Sequence, residues 1–460
     1  MEVKRFTQFL LKPVSIAPLV VFRIIFGLLM LYTILRYAYK GWISELYIEP
    51  TYHFTFFEWL PVFGTDVIWV FVILGFCAFF ITIGFLFRIS SFLFCLLFTY
   101  VELLDKTYYL NHYYLVCLLS FLLVFTSANR YFSVDTLLFP SSKRNWCPSW
   151  QIGIFRVQLS IVYFFAGLAK VNPDWLLLAE PLSTWFPGKY QLPILGSFMH
   201  LKTTAFLFSW AGCIYDLSIW AFLWWRKSRP LAYVAVIVFH VLTGILFPRI
   251  GMFPAIMIFS TLMFFSSEWH QRILDPIHEV WGKIRKTPAK TSLVSSPILQ
   301  SEEVFLNDWK KITTIGFLVA YVGIQLFLPM RYLRFGGNLF WHEQGYRFSW
   351  RVMLMEKSGH TVFVMKDPVT DLQKEVNLDA YLTAFQRQQL STQPDMIWQF
   401  AQHLGQEFET NRGYRPQIYV KSRLSLNGRR SQVFLNDSID VCTLDSPYQR
   451  PDWIISFSNG

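Results

Sequence analysis

Lys170 closes an apolar stretch, Gln151 to Lys170 (QIGIFRVQLSIVYFFAGLAK), that is long enough to cross a bilayer and is broken only by Arg156 and Gln158. An ionisable group at membrane depth is costly, by ~3 kcal/mol on insertion scales at a helix centre, and by default it points to function. Burial disfavours the charged form of a lysine, and a neutral amine is a base. The competing reading is an amine that snorkels to the interface. Further groups able to take part in chemistry are Asp105, Lys106, Asn111 and His112 in LLDKTYYLNHYYL, and His240 in a later apolar run. Each also has an ordinary reading: Asp105 and Lys106 as a surface ion pair, His112 as an interface histidine, His240 as a core histidine bonded to a carbonyl. A candidate base, two histidines and a carboxylate nevertheless fall at one depth once the chain is threaded through a membrane, as a site requires. No spacing of Cys, His, Asp or Glu reads as a metal centre.

The elements that must carry these residues follow from composition. The chain has 460 residues, 54% hydrophobic and 19% aromatic but only 15% charged, in repeated long apolar runs. That describes a polytopic α-helical membrane protein. Lys4, Arg5 and Lys12 precede an apolar run with no small-residue cleavage site before Arg36, which reads as a first span rather than a cleavable signal. The runs predict about nine spans, near 16–37, 67–87, 89–104, 112–128, 152–171, 204–225, 230–247, 252–266 and 312–329. With the N-terminus in the cytoplasm, the loops on its side hold seventeen Lys and Arg, from Lys4 to Lys311. The opposite loops hold five: Lys40, Lys106, Lys189, Lys202 and Arg249. The net charge of +11 thus resides in inter-span loops and does not suggest nucleic acid. The partner is the lipid bilayer.

This threading predicts a transmembrane domain over 1–330, with a basic, Ser/Pro-containing cytoplasmic linker near 268–311 (most marked at 283–304), and an α+β extramembrane domain over 331–460 in a periplasm or lumen. In that domain, residues 351–378 alternate as paired strands around Asp367-Pro368 and residues 379–408 look helical. Asn427-Gly428 supplies the two positive-φ positions of a hairpin turn. Cys77, Cys95, Cys117 and Cys213 lie in apolar runs and Cys147 and Cys442 in polar context, with no disulfide framework.

Several motifs, in order, are shared with one family: FRIIFG at 22–27, LLDKTYYLNHYYL at 103–115, ANRYFSVDTLL at 128–138, IVYFFAGLAKVNPDW at 161–175, FHVLTGILFPRIGMFP at 239–254, QLFLPMRY at 325–332, YRFSW at 346–350 and PQIY at 416–419. The chain resembles the vitamin K-dependent γ-glutamyl carboxylase family, within the horizontally transferred transmembrane domain superfamily, as a short bacterial-type homologue. The resemblance implies that a reduced vitamin K (phylloquinol or menaquinol) is the cofactor and that O2 and CO2 are co-substrates. Lys170 would deprotonate the hydroquinone, and oxygen would convert it to a base able to remove the γ-hydrogen of a glutamyl residue. Carbon dioxide would capture the carbanion as the cofactor leaves as its epoxide. His112 and Lys170 are then the catalytic candidates, and Asn111, His240 and Asp105 line the cofactor. Trp341, Tyr346, Ser349 and Trp350 fall in the segment associated with the glutamate substrate. A quinone-reducing enzyme and a glutamyl peptide or protein are the implied partners, and a bacterial inner membrane is favoured over the endoplasmic reticulum.

The chain departs from the animal pattern at Ala169, where a second lysine is usual, and at 341–345, before Tyr346. It has no cysteine in 38–66 to pair with the C-terminal domain. The alternatives to a carboxylase are a quinol epoxidase without peptide carboxylation and a non-catalytic membrane binding or immunity protein.

Overall fold

The computed structural model describes residues 2–284, 308–450 and 452–458. Lipid offers no hydrogen bonds to the backbone, so the apolar runs satisfy their amides internally as helices. After an N-terminal helix α1 (Glu2–Leu11) come α2 (Ala17–Tyr39), α3 (Val67–Ile83), α4 (Phe87–Leu104), α5 (Asn111–Val124), α6 (Trp150–Lys170), α7 (Lys202–Trp224), α8 (Arg229–Leu246), α9 (Phe253–Thr261), α10 (Ser267–Ile284) and α11 (Asp308–Met330). Among the described residues seven helices are long and apolar enough to cross a membrane, and their outer faces carry exposed Trp69, Phe76, Leu207 and Val319. The chain is a multi-pass helical membrane protein with a C-terminal α+β region. Two of the nine expected spans are short: Asn111–Val124 and Phe253–Phe264. Both begin at residues that line the larger chamber described below. Helix α10 occupies 267–284, so the first part of the expected linker is helical, while 285–307 lies outside the described residues.

Strands β1 (Pro13–Ser15) and β2 (Trp146–Pro148) pair, which brings the N-terminal segment and the 129–149 loop to one end of the bundle. That end is organised by a buried arginine inside the first long helix: Arg23 donates to the carbonyls of Ala128 (3.0 Å) and Phe132 (2.5 Å). Asp135 accepts from the amides of Leu86 (2.7 Å) and Phe87 (3.2 Å). The FRIIFG and ANRYFSVD motifs thus meet as structure rather than chemistry. At the opposite end the loops meet the C-terminal region: Thr51 donates to the Tyr381 carbonyl, and Asn427 and Arg429 clasp Asp174.

The C-terminal region is a four-stranded antiparallel sheet in the order β4 (Gln373–Glu375), β3 (Lys357–Lys366), β5 (Gln417–Leu426), β6 (Gln432–Val433). Helices α12 (Ala384–Leu390) and α13 (Pro394–Arg412) pack against it, with Phe400 5.3 Å from Phe363. Asn427 and Gly428 both take positive φ (49° and 72°), as the hairpin requires. All six cysteines are free. The apolar core runs without a break from Trp175 and Phe186 into Phe363 and Phe400, so the sheet region is seated on the helix ends.

Asp395 on α13 pins this seat. It accepts from Arg347 (2.7 Å) and lies 3.5 Å from Lys106. Burial alone would raise its carboxyl, but Arg347 and Lys106 outweigh burial and hold it at about 2. A depressed carboxyl stabilises the fold above its ordinary range, and that contribution is lost as pH falls through the folded value. The seat is therefore expected to hold at neutral pH and to loosen in strong acid. Asp395→Asn leaves two buried cations without a counter-charge, with an expected loss of ~3–5 kcal/mol. Thermal unfolding of the purified variant checks this, and an unchanged midpoint rejects it.

Candidate functional site

Lys170 ends helix α6, and the next residues explain why it stops there. Asn172 Oδ1 accepts from the Trp175 amide (3.0 Å) and caps a short helix that begins at Pro173. Trp175 donates its indole N–H to the Ser209 carbonyl on α7 (2.8 Å), which stations its ring 5.4 Å from Lys170 Nζ. Helices α6 and α7 approach closely at Gly167, where a Cβ would fall 2.7 Å from the Leu217 amide nitrogen. One turn on, this close approach lets Lys170 donate to Asp216 Oδ2 at 2.7 Å, with a second hydrogen bond to the Ala166 carbonyl at 3.2 Å. The lysine is 7% exposed, so it does not snorkel. Nor is it the lone dry amine expected from the sequence. It forms a buried ion pair with Asp216.

The pair lines an apolar cavity of about 120 Å³ together with Tyr163, Trp175, Phe239, His240, Phe247, Phe253, Trp350 and Asn111, among others. His240 Nε2 lies 3.2 Å from the Tyr163 hydroxyl, while His240 Nδ1 is buried with no partner. A larger, open chamber of about 810 Å³ adjoins it and shares Asn111, Phe247, Ile250, Phe253, Val352 and Met353. His112 and Tyr346 line this chamber. The His112 ring lies tilted against that of Tyr113, centroids 4.3 Å apart, and leaves Nε2 unpaired. Gly251, at φ +68°, passes beside it, and a Cβ there would lie 3.6 Å from Nε2.

The wall between the chambers is built from 346–353, whose backbone is left-handed at three non-glycine residues: Phe348, Trp350 and Met353 (φ 57°, 60° and 55°). Such positions cost roughly 1–3 kcal/mol each and persist where the surroundings impose them. Here the imposing contacts are Asn111 Nδ2 donating to the Arg351 carbonyl (2.8 Å) and the Phe348 amide donating to the Tyr109 hydroxyl (2.7 Å). The turn places Trp350 at the inner cavity and Tyr346 at the chamber, with Val352 and Met353 lining both.

Of the residues singled out by sequence, the structure thus gathers Lys170, His240, Asn111 and Trp350 around one cavity and His112 and Tyr346 around its neighbour. Three lie elsewhere. Asp105 accepts from the Thr107 amide (2.9 Å) and from Gln386 (3.2 Å) at the seat of the C-terminal region, beside His53. Trp341 is in the C-terminal core, donating to the Ile455 carbonyl (2.8 Å). Ser349 is buried and donates to the Tyr346 carbonyl. Asp216 was missed, although a lone carboxylate in the apolar run LFSWAGCIYDLSIW is itself a signal.

Two family comparisons bear on this arrangement. The HTTM domain matches residues 11–269, which hold the inner cavity's lysine, histidine and aspartate. The lumenal domain of vitamin K-dependent gamma-carboxylase matches residues 310–460, which hold the strained wall. The chain belongs to the vitamin K-dependent gamma-carboxylase family. No solved structure matches it. Membership associates this gamma-carboxylase relative with vitamin K-dependent carboxylation at the level of the family. The inner cavity fits a reduced naphthoquinone: aromatic walls suit a flat ring, and Lys170, Asn111 and the unpaired His240 Nδ1 offer polar atoms for its oxygens.

Proposed function

We propose that this protein is a membrane enzyme that carboxylates glutamyl residues to γ-carboxyglutamate, coupled to epoxidation of a reduced vitamin K by O2. The observation that carries the reading is the buried Lys170–Asp216 pair at the wall of an apolar cavity that adjoins a larger, open chamber. When bound, the reduced quinone supplies, through its reaction with O2, a base stronger than any side chain. The protein's part is to take the first proton and keep the site dry. Lys170 would accept the proton of the bound ring hydroxyl, with Asp216 at 2.7 Å placed to hold the ammonium that forms. His240, held through the Tyr163 hydroxyl, would offer its unpaired Nδ1 to a polar atom of the bound quinol. Phe239, Phe247 and Trp350 exclude water that would quench a glutamyl carbanion before CO2 reaches it. His112 offers its unpaired Nε2 where the acceptor meets the cofactor.

The positive-inside pattern supports a cytoplasmic N-terminus and a C-terminal region in the periplasm or a lumen. We favour the bacterial inner membrane, with menaquinol as an available cofactor and a separate quinone-reducing enzyme to regenerate it. The test is to give the purified protein reduced vitamin K, oxygen, a glutamyl peptide and labelled CO2, scoring epoxide and fixed label. Both products are expected. Epoxide alone would leave a quinol epoxidase, and neither product from folded protein would reject an enzyme of this type. In the same assay His112→Ala is expected to lower turnover by ~100-fold, the range for loss of a positioned proton-transfer group. A normal rate would return His112 to a packing role.

A further inference from the structure

The Asn427-Gly428 turn does more than close a hairpin. Its tip lies against residues 171–186, a strap that follows Lys170 and leads toward α7. The strap walls both chambers: Trp175, Leu182 and Phe186 line the inner cavity and Trp185 the open one. Asn427 is 3% exposed, and both polar atoms of its side chain are engaged. Its Nδ2 donates to Asp174 Oδ2 at 2.6 Å, beside two hydrogen bonds from Arg429 to the same carboxylate (2.9 and 2.6 Å). Its Oδ1 accepts from the Glu356 amide at 2.8 Å, and its own amide donates to the Glu356 carbonyl at 2.8 Å. The Glu356 carboxylate in turn accepts from the Trp185 indole. The Trp185 ring lies 5.6 Å from that of Phe247, a residue that lines both chambers. Gly428 passes the middle of the strap at φ +72°, where a Cβ would fall 3.2 Å from Thr184 Oγ1. From the bundle side the strap is fixed near Trp175, by Ser209 and Trp210 of α7. Trp185, at the far end, gives its indole hydrogen bond to the C-terminal region instead.

We propose that Asn427 and Arg429 are positioning residues: through Asp174 and Glu356 they fix the strap, so that the walls of both chambers are set by the seated C-terminal region. The kinetic consequence rests on the carboxylase reading above. Hydrogen bonds to a carboxylate are the stronger kind, and a bidentate guanidinium adds direction. The hairpin turn itself asks only for positive φ, which glycine also meets. An asparagine that spends both side-chain atoms between two domains therefore serves the strap as well as the turn. A displacement of ~1 Å near a reacting centre can lower a rate by ~100-fold.

Asn427→Gly keeps the positive-φ turn and removes both side-chain links, so it is the variant to make. Hydrogen exchange is measured on the full-length wild-type and variant proteins in lipid nanodiscs. Amides of 176–185 should exchange about tenfold faster in the variant, the value of one charge-assisted hydrogen bond, while those of β3 and β5 keep wild-type rates. Unchanged exchange in 176–185 overturns the proposal whatever chemistry the protein performs. With reduced vitamin K and oxygen, kcat for epoxide per folded molecule should fall by about tenfold or more. A lower thermal midpoint with an unchanged kcat makes Asn427 a structural residue and overturns its positioning role. If Asn427→Gly does not fold, Arg429→Lys and Arg429→Met decide. The lysine keeps a charge on Asp174 and should retain more of the rate than the methionine; equal rates overturn the proposal. Faster strap exchange in Asn427→Gly, with no epoxide from the wild type, keeps the strap assignment and rejects the catalytic reading alone.

Discussion

Lys170→Ala is expected to abolish epoxide formation and carbon fixation together, a loss of ~10^4-fold or more, since a positioned proton acceptor is worth up to ~10^4-fold and every later step depends on it. The alanine variant alone is ambiguous, because it leaves Asp216 buried without its partner at the junction of α6 and α7. Lys170→Arg removes the ambiguity. A guanidinium keeps the charge pair with Asp216 but does not give up its proton in proteins. The arginine variant should therefore fold and unfold thermally like the wild type and still yield no epoxide. Measurable turnover from folded Lys170→Arg would exclude Lys170 as the proton acceptor and return it to a structural ion pair.

Asp216→Asn is expected to lower kcat by ~100-fold while leaving the KM for the glutamyl peptide near its wild-type value. The amide still accepts a hydrogen bond from the lysine amine, so the geometry at 2.7 Å is largely kept, but it has no negative charge to stabilise the ammonium that forms when Lys170 takes a proton. Asp216→Glu restores a carboxylate and should recover part of the rate. A structural role would predict the reverse pattern: loss of thermal stability in Asp216→Asn, with the rate per folded molecule unchanged. Steady-state kinetics together with thermal unfolding on the three proteins distinguish the two. The effect is expected to be large because the pair is buried, so that neither water nor a neighbouring side chain can take over from the carboxylate.

Much of the site was legible as depth. Lys170 and His240 could be placed near one level of the membrane because helical rise turns sequence position within an apolar run into height. Asn111 and His112 came with them, being at the junction of two runs. What height does not give is azimuth, the side of the helix and the neighbour it faces. Asp216 sits in an apolar run as plainly as Lys170 does, yet nothing in the sequence pairs them. That pairing depends on α6 and α7 touching at Gly167, a contact between residues fifty apart. Asp105, Trp341 and Ser349 show the opposite error. They share short motifs with residues that line the chambers, but a turn of backbone separates neighbours in sequence into different environments.

By itself the sequence determined that this chain lies in a membrane, roughly where it crosses, that an α+β region follows the last span, and which motifs it shares with the gamma-carboxylase family. These follow from local properties: apolar run length, charge asymmetry between loops, and turn residues such as Asn427-Gly428. Only the tertiary structure decided which polar groups meet. The Lys170–Asp216 pair, the two adjoining chambers and the Asp395 seat all depend on packing between segments distant in the chain. Helix formation in lipid is dictated segment by segment by backbone hydrogen bonding, whereas the arrangement of helices is set by close contacts that no single segment contains.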